Sequence, residues 1–335
     1  MRGQKTIFTC SNCGICADSA HCVSGANLRL PCKAITTKTA THKHHWVQGK
    51  LNVKGQCEVC EKECGKEHTD WWCCWCHLCV HHACQPNMAE VCDIGKFKNY
   101  TVPPNCIQLS SSKIKRGFLA AKVLEPNVGH WSPVLILGNK KSGSQESNAL
   151  LTSFRKILNP AQVVELTEIP PEEALEWCRL VPNHVTCRVV AAGGDGTVCW
   201  VMNAIHKMKF ERVPEVAILP VGTGNDLSSA LGFGWKLRRN FKAAKYLDQL
   251  DKATPAKLDR WQIQYFPPRH LLVHASEVDL HMNNYVSMGI DALVSLKFHR
   301  ARESPSYIFN NRHFNKLMYF MYAVKTAIMQ NCKNI

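Results

Sequence analysis

At 335 residues the chain has room for two or three domains and at least one sizeable core. Lys and Arg outnumber Asp and Glu by 41 to 26, and the formal charge of +15 favours anionic partners such as phosphates, nucleic acid or an acidic membrane face. The first nine residues are polar and basic, which excludes a signal-peptide run there, and the apolar stretch 317–324 falls far short of the roughly 20 residues of a membrane span.

Fourteen of the nineteen cysteines lie within the first 92 residues, interleaved with histidines. That mixture points to zinc in a reducing, cytoplasmic setting, because imidazole and thiolate are zinc ligands and a disulfide scaffold has no need of histidine. His44, Cys57, Cys60, Cys73, Cys76, His81, Cys84 and Cys92 form an unbroken string of Cys and His spacings, and eight ligands make two tetrahedral sites. The string resembles the C1 domain, the diacylglycerol and phorbol-ester module. By that resemblance His44, Cys73, Cys76 and Cys92 hold one Zn²⁺, and Cys57, Cys60, His81 and Cys84 hold the other. Cys64, Cys74 and Cys79 are surplus to the pattern. Trp71 and Trp72 either dip into a membrane or pack locally. Upstream, Cys13, Cys16, His21 and Cys32 resemble the second half of another C1 unit, with Ser24 where a cysteine belongs, so residues 1–35 are expected to bind metal incompletely. Residues 93–130, with Pro103-Pro104, three serines and a basic run, read as a solvated linker.

From residue 131 short apolar runs alternate with helical patterns. Strands are expected at 134–137, 163–166, 188–192 and 216–219, and helices around Leu150 to Leu158, Ala174 to Cys178 and Val198 to Met208. The alternation predicts an α/β fold with a parallel sheet covered on both faces, its ligands beyond the carboxyl ends of the strands. Three glycine-bearing loops fall there: residues 138–143, with Asn139, Ser142 and Gly143; residues 193–197, with Gly193, Gly194, Asp195, Gly196 and Thr197; and residues 220–226, with Gly222, Thr223, Gly224, Asn225 and Asp226. Glycines let backbone approach phosphate oxygens, and a following helix offers its positive end. None of the three is a P-loop or a dinucleotide fingerprint.

Gly-Gly-Asp-Gly-Thr and Pro-Val-Gly-Thr-Gly-Asn-Asp resemble the loops of the diacylglycerol kinase catalytic domain, and the likeness extends through Lys257 to Trp261, Asn283 to Tyr285 and Gly289 to Ala292. With the C1 arrangement ahead of it, the chain looks closest to the epsilon type. The resemblance implies ATP and Mg²⁺ as cofactors: Gly194, Asp195, Gly196 and Thr197 hold the phosphates, and Asp195 lies near Mg²⁺ or the reacting hydroxyl. Asn139, Ser142 and Gly143 flank them, and Thr223, Asn225 and Asp226 complete the nucleotide site. A capping role is the bland reading of Asp195. Lys140 and Lys141 are candidates to neutralise phosphate. The catalytic domain is expected over 131–257, and a β-rich second lobe begins at 258 and is cut short at 335. Its expected partners are diacylglycerol and an anionic membrane surface, not nucleic acid, which makes the protein peripherally membrane-associated. The competing readings are a sphingosine- or ceramide-type lipid kinase and an inactive lipid- and nucleotide-binding fragment.

Overall fold

Residues 134–137 are apolar at every position because both faces of their strand are covered. In the computed structural model four parallel strands, β1 (Val134–Gly138), β2 (Val163–Glu165), β3 (Arg188–Gly193) and β4 (Glu215–Pro220), form a sheet in the order β2-β1-β3-β4. The described residues are 7–10, 12, 16–18, 32–48, 55–64, 69–110, 120–140, 146–222, 224–237, 240–265, 278–303 and 312–329. Five helices accompany the sheet: α1 (Glu146–Ile157), α2 (Pro171–Arg179), α3 (Asp195–Met208), the short α4 (Asp226–Ala230) and α5 (Ala243–Asp251).

Alternate strand positions serve opposite cores. Leu135, Leu137, Val189, Ala191 and Ile218 pack with Leu175 of α2 and Val198 and Val201 of α3. Val134, Ile136, Val190, Ala192, Ala217 and Leu219 pack with Leu151 and Phe154 of α1 and Leu247 of α5. Each such large side chain, fully buried, contributes about 1.5–3 kcal/mol. The chain runs from β1 outward to β2 and then back across to β3, so strand order reverses between β1 and β3. A crevice at their carboxyl ends follows from that reversal.

Where a solvated linker is expected, the structure packs much of the segment. Thr101 and Val102 are fully buried, and Ile107–Leu109 pairs antiparallel with Ala120–Val123. The physical reason is two buried amides after α1. Gln162 Oε1 accepts from the Val102 N–H at 2.8 Å, and its Nε2 donates to the carbonyls of Tyr100 at 2.7 Å and Val134 at 2.8 Å. Asn159 Nδ2 donates to Ile35 O at 2.9 Å and Val102 O at 3.1 Å. Backbone that would otherwise need water is thereby satisfied inside the fold.

The cysteine-rich unit has a three-stranded antiparallel sheet of Trp46–Gln48, Trp71–Cys73 and Cys79–Val80. It rests against the carboxyl end of α1. Lys33, 2% exposed, donates from Nζ to the carbonyls of Arg155, Lys156, Ile157 and Leu158 at 2.9–3.4 Å and lies 4.1 Å from the Trp75 ring centre. A cation there meets the unpaired carbonyls and negative end of the helix. His77 Nε2 also contacts Lys156 O at 3.1 Å.

Beyond the sheet, β5 (Trp261–Tyr265) pairs antiparallel with β6 (Val278–Met282), opening the second lobe. Helices α6 (Ile290–Glu303) and α7 (Arg312–Met329) follow and meet through Ser295 and Phe298 against Tyr319. Among the described residues no helix is long and apolar enough to cross a membrane.

Candidate zinc centres and phosphate edge

The eight Cys and His residues of the first unit fall into two groups of four. His44, Cys73, Cys76 and Cys92 form one and Cys57, Cys60, His81 and Cys84 the other, with the ligand atoms of each group within 4.8 Å of one another. Cys76 Sγ lies 3.4 Å from His44 Nδ1, Cys73 Sγ 3.9 Å from Cys92 Sγ, and Cys60 Sγ 3.3 Å from His81 Nδ1. A tetrahedron with zinc–sulfur bonds of about 2.3 Å places its sulfurs about 3.8 Å apart, so the donor sets fit Zn²⁺. His81 Nε2 lies 3.0 Å from Glu63 O, a contact that fixes the tautomer leaving Nδ1 free to ligate. Within the first group, contacts from Cys76 and then Cys92 pull the Cys73 thiol far below its ordinary range, while Cys73 pushes Cys92 up to about 12. Sulfurs crowded this closely suit a shared divalent cation.

The surplus Cys64, Cys74 and Cys79 are buried, and Cys64 lies with Asp70 beside His81. Trp71 stacks on His82 and donates to its Nδ1 at 3.0 Å, and Trp72 stacks on His77, so both tryptophans pack locally. Of the upstream unit, Cys13, His21 and Ser24 lie outside the described residues, while Cys10 and Cys32 sulfurs are 3.7 Å apart.

The three strands that lead into the glycine loops end at one sheet edge. Gly138 pairs in register with Ala192, and Gly193 with Pro220, so β1, β3 and β4 end side by side. The loops after β3 and β4 then interlock. A Cβ on Gly222 would lie 2.3 Å from Gly194 Cα, and one on Gly193 would lie 2.4 Å from the Thr197 side chain. Only glycine allows these approaches.

Asp195 begins α3, and its carboxylate accepts the N–H groups of Asp226 at 2.9 Å and Leu227 at 3.1 Å, capping α4. Its own N–H donates to Gly224 O at 3.2 Å. The bland capping role is therefore present in the structure. Each carboxylate oxygen keeps a further lone pair for a cation. Asn225 is buried and committed within its loop: Oδ1 accepts from Gly222 N at 3.1 Å, and Nδ2 donates to Gly222 O and Trp235 O, both at 2.9 Å. Thr197 is buried too, its Oγ1 accepting from Asn139 Nδ2 at 3.1 Å. These three side chains shape the edge, whereas Gly196, Gly224 and Asp226 are exposed along it. Ser142, Gly143, Lys141 and Thr223 lie outside the described residues.

Lys140 is occupied. Its ammonium pairs with the nearly buried Glu165 carboxylate, and its backbone N–H donates to the same side chain at 3.2 Å. Two further residues gain a place at the site only in three dimensions. Arg260 joins α3 to the second lobe, donating to Met202 O at 3.1 Å, Asn203 Oδ1 and Asn283 Oδ1 at 2.7 Å. Tyr285 lies close enough to Asp226 and Asp195 that burial, and then their negative charge, push its hydroxyl up. Both lie in stretches that extend the family likeness in the sequence, but their partners are distant along the chain, so their contacts carry no local signal.

Residues 44–95 match the phorbol esters/diacylglycerol binding domain (C1 domain), residues 133–260 the diacylglycerol kinase catalytic domain, and residues 281–335 the diacylglycerol kinase accessory domain. The chain carries a C1 domain and the catalytic and accessory domains of the diacylglycerol kinase family. It is 32% identical over 345 residues to the probable diacylglycerol kinase 3 of Caenorhabditis elegans, covering 97% of this chain and 42% of that protein. It is 37% identical over 225 residues to diacylglycerol kinase eta of Drosophila melanogaster, covering 67% of this chain and 11% of that one. The chain thus spans less than half the length of these relatives. The phosphate edge lies wholly within the diacylglycerol kinase catalytic domain, and Tyr285 within the accessory domain.

Proposed function

We propose that these domains form the nucleotide- and lipid-recognising part of an ATP-dependent diacylglycerol kinase. The reaction moves the terminal phosphoryl group of ATP to the free hydroxyl of 1,2-diacylglycerol, giving ADP and phosphatidate in lipid signalling. The observation that carries this reading is that β1, β3 and β4 end side by side, the loops after β3 and β4 interlock, and the Asp195 carboxylate and the exposed Asp226 lie together there. Mg²⁺, when bound, neutralises charge on the phosphates, and Asp195 and Asp226 are the residues that would hold it. Gly194, Gly196 and Gly224 leave room for phosphate oxygens beside the positive end of α3. Asn139, Thr197, Asn225 and Gly193 with Gly222 keep that room open by fixing the loops. Ser142, Gly143 and Thr223 belong to the same site by their place in the loops.

Two Zn²⁺ ions would staple the C1 unit, which would address the enzyme to diacylglycerol in an anionic membrane surface from the cytoplasmic side. The net charge of +15 suits both ATP and that surface. The pair of cysteine-rich units ahead of the catalytic domain, with no recognisable calcium-binding loop before it, is what the epsilon type rests on.

Calorimetric titration of Mg·ATP tests the site. Gly194→Asp adds a negative charge and a Cβ that would sit 2.9 Å from Gly224 O, so affinity should fall at least about tenfold. A melting curve of the same variant separates lost affinity from lost folding. Unchanged affinity would remove this edge from the nucleotide site.

A further inference from the structure

Cys178 and Cys187 belong to neither zinc set nor the phosphate edge, yet their sulfurs lie 3.1 Å apart. Cys178 stands near the carboxyl end of α2 and is half-buried, and Cys187 is buried just before β3. Both join the core on one face of the sheet, so the framework on either side holds them together. A disulfide needs sulfurs about 2.0 Å apart, which leaves about 1 Å of closure. The unequal exposure gives the two sulfurs different parts: an oxidant reaches Cys178 first, while Cys187 waits behind it. Contact with Cys178 and burial hold the Cys187 thiol well above its ordinary range, so it stays protonated until its partner has reacted.

We propose that Cys178 and Cys187 are a peroxide-responsive modification site that closes to a reversible intrachain disulfide. Hydrogen peroxide is the oxidant. The Cys178 thiolate attacks one peroxide oxygen, the O–O bond breaks, and sulfenic acid forms while hydroxide leaves and takes up a proton. The Cys187 sulfur then attacks the Cys178 sulfur, gives up its proton, and displaces hydroxide as a second water. In sum, two thiols lose two electrons and one peroxide becomes two waters. A dithiol reverses the bond by exchange.

The pair sits at the amino end of β3, and the phosphate loops at its carboxyl end. The bond would therefore fasten α2 to the sheet without touching Asp195. Closing so short a loop should raise the melting temperature of the lobe on the order of 5 °C.

The experiment treats the zinc-loaded chain with graded hydrogen peroxide, blocks the remaining thiols by alkylation, and maps cysteines by mass spectrometry. The expected result is a linked pair of peptides holding Cys178 and Cys187, lighter by two hydrogens and restored by dithiothreitol. Cys178→Ser, at a half-exposed position, should abolish the link and the gain in melting temperature. In Cys187→Ser, if it folds, Cys178 should accumulate as a sulfenic acid trapped by dimedone. Recovery of both thiols alkylated, at peroxide levels that convert added glutathione to its disulfide, would overturn the proposal. So would a bond from Cys178 to any other cysteine.

Discussion

Gly222 and Gly194 set how near two loops can come, and their contact decides the shape of the phosphate edge. A Cβ added at Gly222 would lie 2.3 Å from Gly194 Cα and 2.7 Å from its nitrogen, both rigid backbone atoms. Gly222→Ala should therefore cost about 1–3 kcal/mol of stability, measured by denaturant melts, and weaken Mg·ATP binding in the same variant. A variant as stable as the wild type would mean that the loops separate without strain. The glycine pattern was legible in the sequence because a motif is local. What its polar residues do was not. Lys140 looks like a phosphate ligand until Glu165, twenty-five residues on, is seen beside it. Asn225 looks like a nucleotide contact until its amide is found already bonded to Gly222 and Trp235. Asp195 unites both readings, since capping α4 is also what aims a carboxylate at the edge.

The elements depend on a few buried polar pegs as much as on apolar faces. Gln162 follows α1 and joins the chain at Tyr100 and Val102 to strand β1 at Val134. Gln162→Ala takes the acceptor from the buried N–H groups of Val102 and Asn159 and the donor from the Val134 carbonyl, while the Tyr100 carbonyl keeps the Val134 N–H; at about 1–3 kcal/mol for each group left unpaired, the whole change should cost about 4 kcal/mol. Urea melts would measure it, and a loss under about 1 kcal/mol would show that water or a shifted backbone replaces the amide. The four strands of the sheet and helices α1 to α3 were legible from apolar periodicity to within a few residues, while α4 and α5 were not foreseen. The packed course of residues 99–109 was not legible, because its prolines, and the serines and charges that follow, describe a loop whether or not it is buried. Only the distant amides of Asn159 and Gln162 distinguish the two cases. Lys33 is a similar instance: a lone lysine in a cysteine-rich stretch gives no sign that it caps a helix over 120 residues away.

Across the whole molecule, the cysteine-rich unit is physically joined to the sheet through α1. Its carboxyl end receives Lys33 and His77 from the cysteine-rich region, and its amino end follows the first phosphate loop. The core of the C1 unit is small, so its folding should depend on its ions. The chain should hold two Zn²⁺ per molecule by metal analysis. Strong chelation should collapse the near-ultraviolet signal of Trp46, Trp71, Trp72 and Trp75 and lower the melting point of the catalytic lobe; an unchanged spectrum in the metal-free chain would contradict the assignment. The central claim is that the sheet edge performs phosphoryl transfer to diacylglycerol. It is tested most directly by incubating the full-length protein with γ-labelled ATP, Mg²⁺ and 1,2-diacylglycerol in mixed micelles, with Asp195→Asn in parallel. Labelled phosphatidate should form with the wild type and fall at least about a hundredfold in the variant, a loss of about 2.7 kcal/mol of barrier lowering. No labelled phosphatidate from the wild type, or equal amounts from both proteins, would contradict it.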